Sequence, residues 1–318
     1  MQAACAIVDW GTSNFRLWLV DGKGSIVGER RSRDGMIHTS PADFHKVLEG
    51  HLQLASAGPD LPVMICGMAG SRQGWREAPY LAAPTPLRDL GAGAVTVPGI
   101  PREVRIMPGI AQHDPQSPDV MRGEETQLLG SMILRPASFD AVTIACMPGT
   151  HSKWVRIENG SVTGFSTFMT GELFGLAANH SILSKMIATN AGFEAGDNRF
   201  LEAVIATFRD PAPVANRLFS ARSARLLGYC DDAAAAPATS GALIGLELAG
   251  ATSFHSQTDH VVLIASGRLS RLYQAALDAI GIEYQFIDAD DAVRAGLFAA
   301  CVGFVPVSPS LQTGSSRP

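Results

Sequence analysis

The sequence predicts an α/β protein built from two copies of one strand–turn–strand unit, each copy offering a turn that grips phosphate. Three observations carry this expectation. Ala6-Ile7-Val8-Asp9-Trp10-Gly11-Thr12-Ser13-Asn14-Phe15-Arg16 and Ile144-Ala145-Cys146-Met147-Pro148-Gly149-Thr150-His151-Ser152-Lys153-Trp154 share one layout: an apolar strand, a Gly-Thr turn and a second strand. Each second strand runs into a hairpin signal, Asp21-Gly22 or Asn159-Gly160, with a third strand behind it; Asp-Gly and Asn-Gly between strand-like runs are the strongest short hairpin signals. The chain of 318 residues is long enough for two domains of ordinary size.

The residue types in the two turns suit anion binding. Glycine lets the backbone approach an anion closely, and successive N–H groups in a tight turn form a concave anion site. Threonine and serine hydroxyls add donors. Asp9 ends a buried strand beside the first turn, where a carboxylate suits a hydrated magnesium ion rather than a phosphate. The bland alternative is a pair of ordinary glycine hairpins, and the recurrence in one register argues against it.

In chain order, residues 4–31 read as three strands. Ser40 then reads as an N-cap, with Pro41 at the first helical position and an apolar stripe of Phe44, Val47, Leu48 and Leu52. Leu61 to Cys66 is a short buried strand. It leads into the polar, glycine-rich loop Gly67-Met68-Ala69-Gly70-Ser71-Arg72-Gln73-Gly74-Trp75. The stretch 79–118 is rich in Pro and Gly, with strands expected at 94–97 and 103–107. Gly123-Glu124-Glu125-Thr126 opens a helix through Leu128, Leu129, Met132 and Ile133. The second three-strand unit spans 141–168. Thr170 caps a helix with the stripe Leu173, Leu176, His180, Leu183 and Ile187, and more helix follows to about residue 230. The small-residue run 231–241 reads as a loop. Val261 to Ala265 is a buried strand, Gly267 opens an amphipathic helix that Gly281 stops, 282–287 is a strand, and Asp288 caps a last helix. The expected domains are 1–118, joined by helix 289–304, and 119–288, with a polar, disordered tail over 306–318.

The bulk composition excludes several classes. With 46% hydrophobic and 17% charged residues the chain is well-packed and globular, and a net charge of −5 gives no footprint for nucleic acid. No apolar run approaches the roughly 20 residues needed to span a bilayer. The first strand starts almost at once, which reads as leaving no room for a leader. Five scattered cysteines, mostly inside apolar runs, read as reduced thiols of a cytoplasmic protein and not as a disulfide frame or zinc site.

These residues in this order resemble the superfamily of sugar kinases, heat-shock protein 70 and actin. That resemblance implies two ribonuclease-H-like domains with an active-site cleft between them. Asp9-Trp10-Gly11-Thr12 matches the first phosphate motif, Pro148-Gly149-Thr150-His151 the second, and Leu263-Ile264-Ala265-Ser266-Gly267 the adenosine motif, with Ser266-Gly267 where two glycines are frequent. More closely, the chain is similar to the 2-dehydro-3-deoxygalactonokinase family. The similarity rests on Asp9 to Asn14, Gly67 to Trp75, Arg122 to Gln127, Met147 to Trp154 and Met169-Thr170-Gly171-Glu172-Leu173-Phe174. It implies ATP- and Mg2+-dependent phosphorylation of the 6-hydroxyl of 2-dehydro-3-deoxy-D-galactonate in galactonate catabolism. Spacing and composition alone reach only a two-lobed nucleotide phosphotransferase or hydrolase.

The resemblance places an acidic residue at the start of the helix before the second phosphate motif as the base that takes the hydroxyl proton. Glu124 and Glu125 stand there, with glutamate where relatives often have aspartate. Glu124, directly after Gly123, is preferred, and the competing reading is that both simply complement the helix dipole. Asp9 is the magnesium ligand or else a turn cap. Gly11, Thr12, Ser13, Asn14, Gly149, Thr150, Ser266 and Gly267 are the nucleotide and phosphate contacts. His151 is a ring donor to phosphate. Lys153 is either a phosphate or substrate ligand or an exposed strand residue, and Arg16 a salt-bridge partner. A sugar acid needs a cation, and arginine offers a planar fork: Arg72 is the first choice and Arg122 the second. Ser71 and Gln73 bind hydroxyls and Trp75 walls the sugar, unless the loop is a mere connection whose Trp75 packs on the domain. His180 reads as a core histidine. The expected partners are a small sugar acid and ATP, with neither nucleic acid nor membrane. The alternatives are a kinase of another sugar or sugar acid, or a non-metabolic actin-like ATPase.

Overall fold

A computed structural model describes residues 2–187, 192–231, 234–252 and 260–302. The expected tail over 306–318 lies outside them. The chain divides into two compact units, Met1–Pro136 with Asp291–Pro318, and Ala137–Asp290.

Unit 1 contains β1 (Cys5–Trp10), β2 (Phe15–Val20), β3 (Ile26–Ser32), α1 (Phe44–Leu54), β4 (Val63–Gly67), β5 (Tyr80–Ala82), β6 (Thr85–Pro86), β7 (Val95–Thr96), β8 (Val104–Ile106), β9 (Gly109–Gln112), β10 (Asp119–Met121) and α2 (Glu124–Leu134). Its main sheet runs β3-β2-β1-β4-β8-β7. The first three strands pair antiparallel, while β4 joins β1 in parallel and β8 joins β4 in parallel. The period-2 alternation of a strand splits β1 between two layers. Ala6, Val8 and Trp10 pack with Leu17, Phe44, Leu48, Leu52 and Ile65 in one core. Cys5, Ile7 and Asp9 face the other way.

Unit 2 contains β11 (Thr143–Met147), β12 (Ser152–Glu158), β13 (Ser161–Phe168), α3 (Thr170–His180), α4 (Ser184–Ile187), α5 (Asn198–Arg209), α6 (Val214–Leu226), α7 (Ala235–Ala251), β14 (His260–Ala265), α8 (Gly267–Ile280) and β15 (Tyr284–Asp288). Its strands lie in the order β15-β14-β11-β12-β13. Again three strands pair antiparallel, and two more join the first in parallel. Both units therefore carry the ribonuclease-H-like order, and the repeated turn closes the first two strands in each. The second hairpin is tight, with Asn159 at φ 51° and Gly160 at φ 70°, the left-handed pair that a two-residue turn requires. The first is a longer loop, in which Asp21 accepts the N–H groups of Lys23 and Ser25, each at 2.9 Å.

Four expectations shift. The unit boundary falls after Pro136 rather than after residue 118, so α2 counts with unit 1. There it packs on α9 (Ala289–Val302), whose start Asp288 caps by accepting the Asp290 N–H at 2.9 Å. The α1 helix starts at Phe44 rather than at Ser40, and the Ser40 hydroxyl donates to the Asp43 carboxylate at 2.6 Å. Within the run 231–241 expected as a loop, α7 begins at Ala235. Its small residues let it lie close on α5: a Cβ on Gly241 would stand 2.3 Å from the Phe200 carbonyl oxygen. A helix buried on nearly every face shows no amphipathic period. Finally, His180, Leu173 and Leu176 are exposed. The face of α3 that packs inward carries Phe174, Ala177 and Ala178 instead.

The α2–α9 contact in unit 1 leaves no space for side chains. A Cβ on Gly130 would stand 1.8 Å from the Ala292 carbonyl oxygen, and one on Gly296 2.0 Å from that of Thr126. Both obstacles are backbone, so a helix must move. We expect Gly130→Ala to destabilise the protein by about 1–3 kcal/mol, the usual cost of overpacking, in urea unfolding followed by circular dichroism. A change within about 0.5 kcal/mol, as at an ordinary surface site, would contradict that packing.

Candidate functional site

Each repeated turn is tied from behind. In unit 1 the Gly11 N–H donates to the Asn14 carbonyl at 2.9 Å, and the Gly11 and Thr12 carbonyls accept the N–H groups of Met36 and Ile37 at 3.0 and 3.1 Å. The Trp10 indole N–H holds the same segment through the Asp34 carbonyl at 2.9 Å. Thr12, Ser13 and Asn14 are exposed, and among the described residues their N–H groups serve no backbone carbonyl. Gly35 permits the clamp, since a Cβ there would fall 2.3 Å from the Ser13 carbonyl carbon.

In unit 2 the Thr150 carbonyl accepts the Glu172 N–H at 3.0 Å, and the Gly149 N–H donates to the Ser152 hydroxyl at 3.4 Å. Gly171 is the corresponding brace: a Cβ would stand 2.5 Å from the Gly149 carbonyl oxygen. Neither Gly35 nor Gly171 was singled out as a site residue from sequence. The signal was present, because each glycine follows its third strand at the same offset, Ser32 to Gly35 and Phe168 to Gly171.

Beside the first turn three groups meet on the face of the unit 1 sheet opposite the Val8–Trp10 core. Asp9 is salt-bridged to Arg16, whose Nε donates to Oδ2 at 3.0 Å, while the weak Cys66 thiol donor points at Oδ1 from 3.8 Å. Burial, with the Asp9 and Glu125 charges near it, pushes the Cys66 thiol well up. Glu124 and Glu125 open α2 after Gly123, whose φ of 108° suits glycine alone. The pair divides by burial. Glu124 is half-buried and accepts the Arg122 N–H at 3.1 Å. Glu125 is fully buried, accepting the Gly123 N–H at 2.6 Å and the Thr126 hydroxyl at 2.9 Å. Burial, and then the neighbouring Glu124 charge, push Glu125 up to about 8.

The glycine-rich loop lies in the same unit. Trp75 stacks on Phe44 with ring centroids 6.1 Å apart and meets Trp10 edge-on at 6.3 Å, so its indole anchors the loop to the core. The Ser71 hydroxyl points at the Met36 sulfur, 3.3 Å away. Arg72 and Gln73 are exposed at the tip. Arg122 is only partly engaged: one Nη donates to the Ala78 carbonyl at 2.8 Å and the guanidinium lies 4.3 Å over the Tyr80 ring, while Nε and the other Nη are buried without a hydrogen-bond partner among the described residues.

In unit 2, His151 pairs with Glu172 at 2.5 Å on the surface. Lys153 is buried, so the exposed-strand reading of it fails. A cavity of about 230 Å3 opens beside the turn, walled by Gly149, Thr170 and Gly171, by Leu243 and Ile244 of α7, and by Arg268, Leu272 and Tyr273 of α8. Ser266 and Gly267 stand at the start of α8, immediately before the lining Arg268. Arg268 lies 4.5 Å over the Phe193 ring, and both line the cavity. Beneath it the Glu247 carboxylate is buried, with hydrogen bonds from Trp154, Thr170 and Tyr273. Burial pushes its pKa up against those donors. Among the described residues no three His, Cys, Asp or Glu side chains converge on a possible metal position. All five cysteines are free thiols, and no described helix is long and apolar enough to cross a membrane.

Comparison with known proteins follows this geometry. The family model of 2-keto-3-deoxy-galactonokinase matches residues 9–300. A probable 2-dehydro-3-deoxygalactonokinase of Rhizobium meliloti is 49% identical over 302 residues, covering 95% of this chain and 98% of that protein. The 2-dehydro-3-deoxygalactonokinase of Escherichia coli is 32% identical over 305 residues, covering 93% and 97%. A crystal structure provisionally given the same enzyme designation, from Sinorhizobium meliloti, superposes with a TM-score of 0.91 at 48% identity, covering 95% of this chain and all of that one.

The buried Glu125 makes stability depend on pH. Its ordinary value is 4.5 and its folded value about 8. Below pH 4.5 both states hold the proton. Between those values the unfolded chain releases it and the folded chain does not, so stability falls as pH rises, and above about 8 the loss is complete. Glu125→Gln keeps an acceptor for the Gly123 N–H and removes the titration. Its stability relative to wild type should therefore climb steadily from pH 4.5 to 8 in urea unfolding. A pH-independent difference would show that Glu125 ionises normally in the fold.

Proposed function

The chain belongs to the 2-keto-3-deoxy-galactonokinase family, which phosphorylates 2-keto-3-deoxygalactonate with ATP in galactonate catabolism, and we propose that Asp9, Glu124 and Arg72 of unit 1 serve its sugar acid while unit 2 holds the nucleotide. The observation that carries this reading is the pair of carbonyl-tied turns with outward amides, one of them beside Asp9 and the acidic start of α2. A phosphoryl transfer needs its charge met and its nucleophile oriented. Amides and hydroxyls of Thr12 to Asn14 and of Thr150 and His151, which are exposed, meet phosphate oxygens. The apolar walls beside the second turn suit a nucleobase.

Glu124 is the better base of the two glutamates. It is half-buried and reaches solvent, while Glu125 keeps its proton at neutral pH and is shut away under Gly123. Glu124 takes the proton of the sugar 6-hydroxyl as that oxygen bonds to the γ-phosphorus and the bridging P–O bond to ADP breaks. Glu125 aligns the first turn of α2 through the Gly123 amide.

A magnesium ion fits the donor chemistry at Asp9: a hard carboxylate oxygen next to a phosphate-binding turn, where substrate phosphates and water complete the shell. When bound, the ion neutralises charge developing on the phosphates. Arg16 holds Asp9 in place and balances its charge.

For the sugar carboxylate Arg72 is favoured over Arg122. Arg72 is exposed, with no partner among the described residues, whereas Arg122 is turned inward onto Ala78 and Tyr80; its unpartnered Nε and Nη make it the second choice. Trp75 is occupied in the core and supports the loop rather than walling the sugar.

A coupled ADP-release assay across 2-keto-3-deoxy sugar acids tests the assignment. Turnover should require the acid and be fastest with the galactonate-derived one; ATP hydrolysis indifferent to added acid would point to an ATPase instead. Glu124→Gln should lose roughly 10²–10⁴-fold in kcat with little change in the KM of the acid, and an equal loss at Glu125→Gln alone would reverse the roles of the pair. Arg72→Ala should raise the KM of the acid by the equivalent of about 2–5 kcal/mol and spare ATP. An effect on ATP alone would move the loop to the nucleotide.

A further inference from the structure

The one acidic residue of the apolar helix α7 is Glu247, which is only 1% exposed. A carboxylate in that place is expensive unless its oxygens are satisfied. They are, and by groups from three other elements. Oε1 accepts the Trp154 indole N–H at 2.9 Å, from β12 just past the phosphate turn. Oε2 accepts the Tyr273 hydroxyl of α8 at 2.6 Å and the hydroxyl of Thr170, the first residue of α3. The Tyr273 oxygen lies 3.1 Å from the Ser152 hydroxyl, which in turn accepts the Gly149 N–H of the turn itself. One carboxylate thus ties together the turn, the helix that braces the turn and the helix that walls the cavity. Thr170 and Tyr273 both line that cavity. Stability alone does not call for this design, since replacing a buried polar set by apolar groups of the same shape is often near neutral.

We propose that Glu247 is a positioning residue, fixing the spacing between the phosphate turn and the walls of the nucleotide pocket in unit 2. The inference rests on the reading that unit 2 holds ATP. The carboxylate touches no ligand itself. Its three hydrogen bonds are directional, so they set distances that packed methyl groups would leave loose. In an apolar surround the hydroxyls of Thr170 and Tyr273 have few other acceptors, which keeps both rotamers pointed at Glu247 and away from the cavity.

The test is direct binding of a non-hydrolysable ATP analogue by calorimetry, alongside the KM of the sugar acid and thermal unfolding. Glu247→Gln and Glu247→Met keep the side-chain length and remove the doubly accepting carboxylate. We expect each to weaken the analogue about tenfold, the scale of one buried donor left without its acceptor, while the KM of the sugar acid stays within about twofold. Trp154→Phe removes one donor remote from the cavity and should give a smaller loss of the same kind. Unchanged analogue binding in the folded Glu247 variants overturns the proposal, as does a loss that falls equally on the sugar acid. If neither Glu247 variant folds, Trp154→Phe decides, and wild-type analogue binding there overturns it. If the wild-type protein binds no analogue, the assignment of ATP to unit 2 fails, and the inference falls with it.

Discussion

The structure depends on a constraint met twice: a turn whose carbonyls are bound from behind so that its amides face outward. Backbone amides make a good anion site only when their own carbonyls have partners elsewhere, because a carbonyl left turning in the same loop would compete for the same space and repel the ligand. In unit 1 the partners are the amides of Met36 and Ile37, and in unit 2 the amide of Glu172. For that backing segment to come near enough, one residue must lack a side chain. Gly35 and Gly171 are those residues. The five strands common to both sheets, three antiparallel and two joined in parallel, present this clamped turn at the strand ends.

Around that shared frame the two units differ in how they use a buried carboxylate. Glu125 meets the Gly123 amide and the Thr126 hydroxyl, but burial first and then the neighbouring Glu124 charge push its pKa up to about 8. Glu247 meets three donors from three elements, with no acidic neighbour on its own helix. The first arrangement shapes the start of a helix. The second joins distant segments. Both follow from one rule: a buried carboxylate persists only where donors are already waiting, so its position shows which segments the fold must hold together. The close α2–α9 packing belongs to the same logic, since it presents the Glu124–Glu125 start of α2 from a rigid pair of helices.

Much of this was legible beforehand. The alternating and continuous apolar runs placed the strands of both sheets, and the repeated Gly-Thr motifs marked the two tied turns, because strand period and glycine turns are local properties of the chain. The start of the last helix was readable in Asp288, a cap that acts on the residues next to it. What failed had a non-local cause. The run 231–241 looked like a loop because its residues are small, yet from Ala235 on those small residues are what let the helix pack on nearly every side. His180 looked buried because an apolar stripe was assumed to point inward, yet Phe174, Ala177 and Ala178 are the residues that do. The buried state of Lys153 depends on the strand's neighbours, which its own alternation does not reveal.

By itself, then, the sequence determined the class of the fold, its duplication, the family and the group of polar residues from which a site is drawn, since each is written in short segments or in motifs of fixed spacing. Only the tertiary structure decided their surroundings. It separated Glu124 from Glu125 by burial and left Arg72 open while turning Arg122 inward onto Ala78 and Tyr80. It also drew Trp75 into the core, and brought Glu247 under a turn more than ninety residues earlier in the chain. The reason is physical: solvation and hydrogen-bond partners set what a charged or polar group can do, and both come from residues that are neighbours only once the chain has folded.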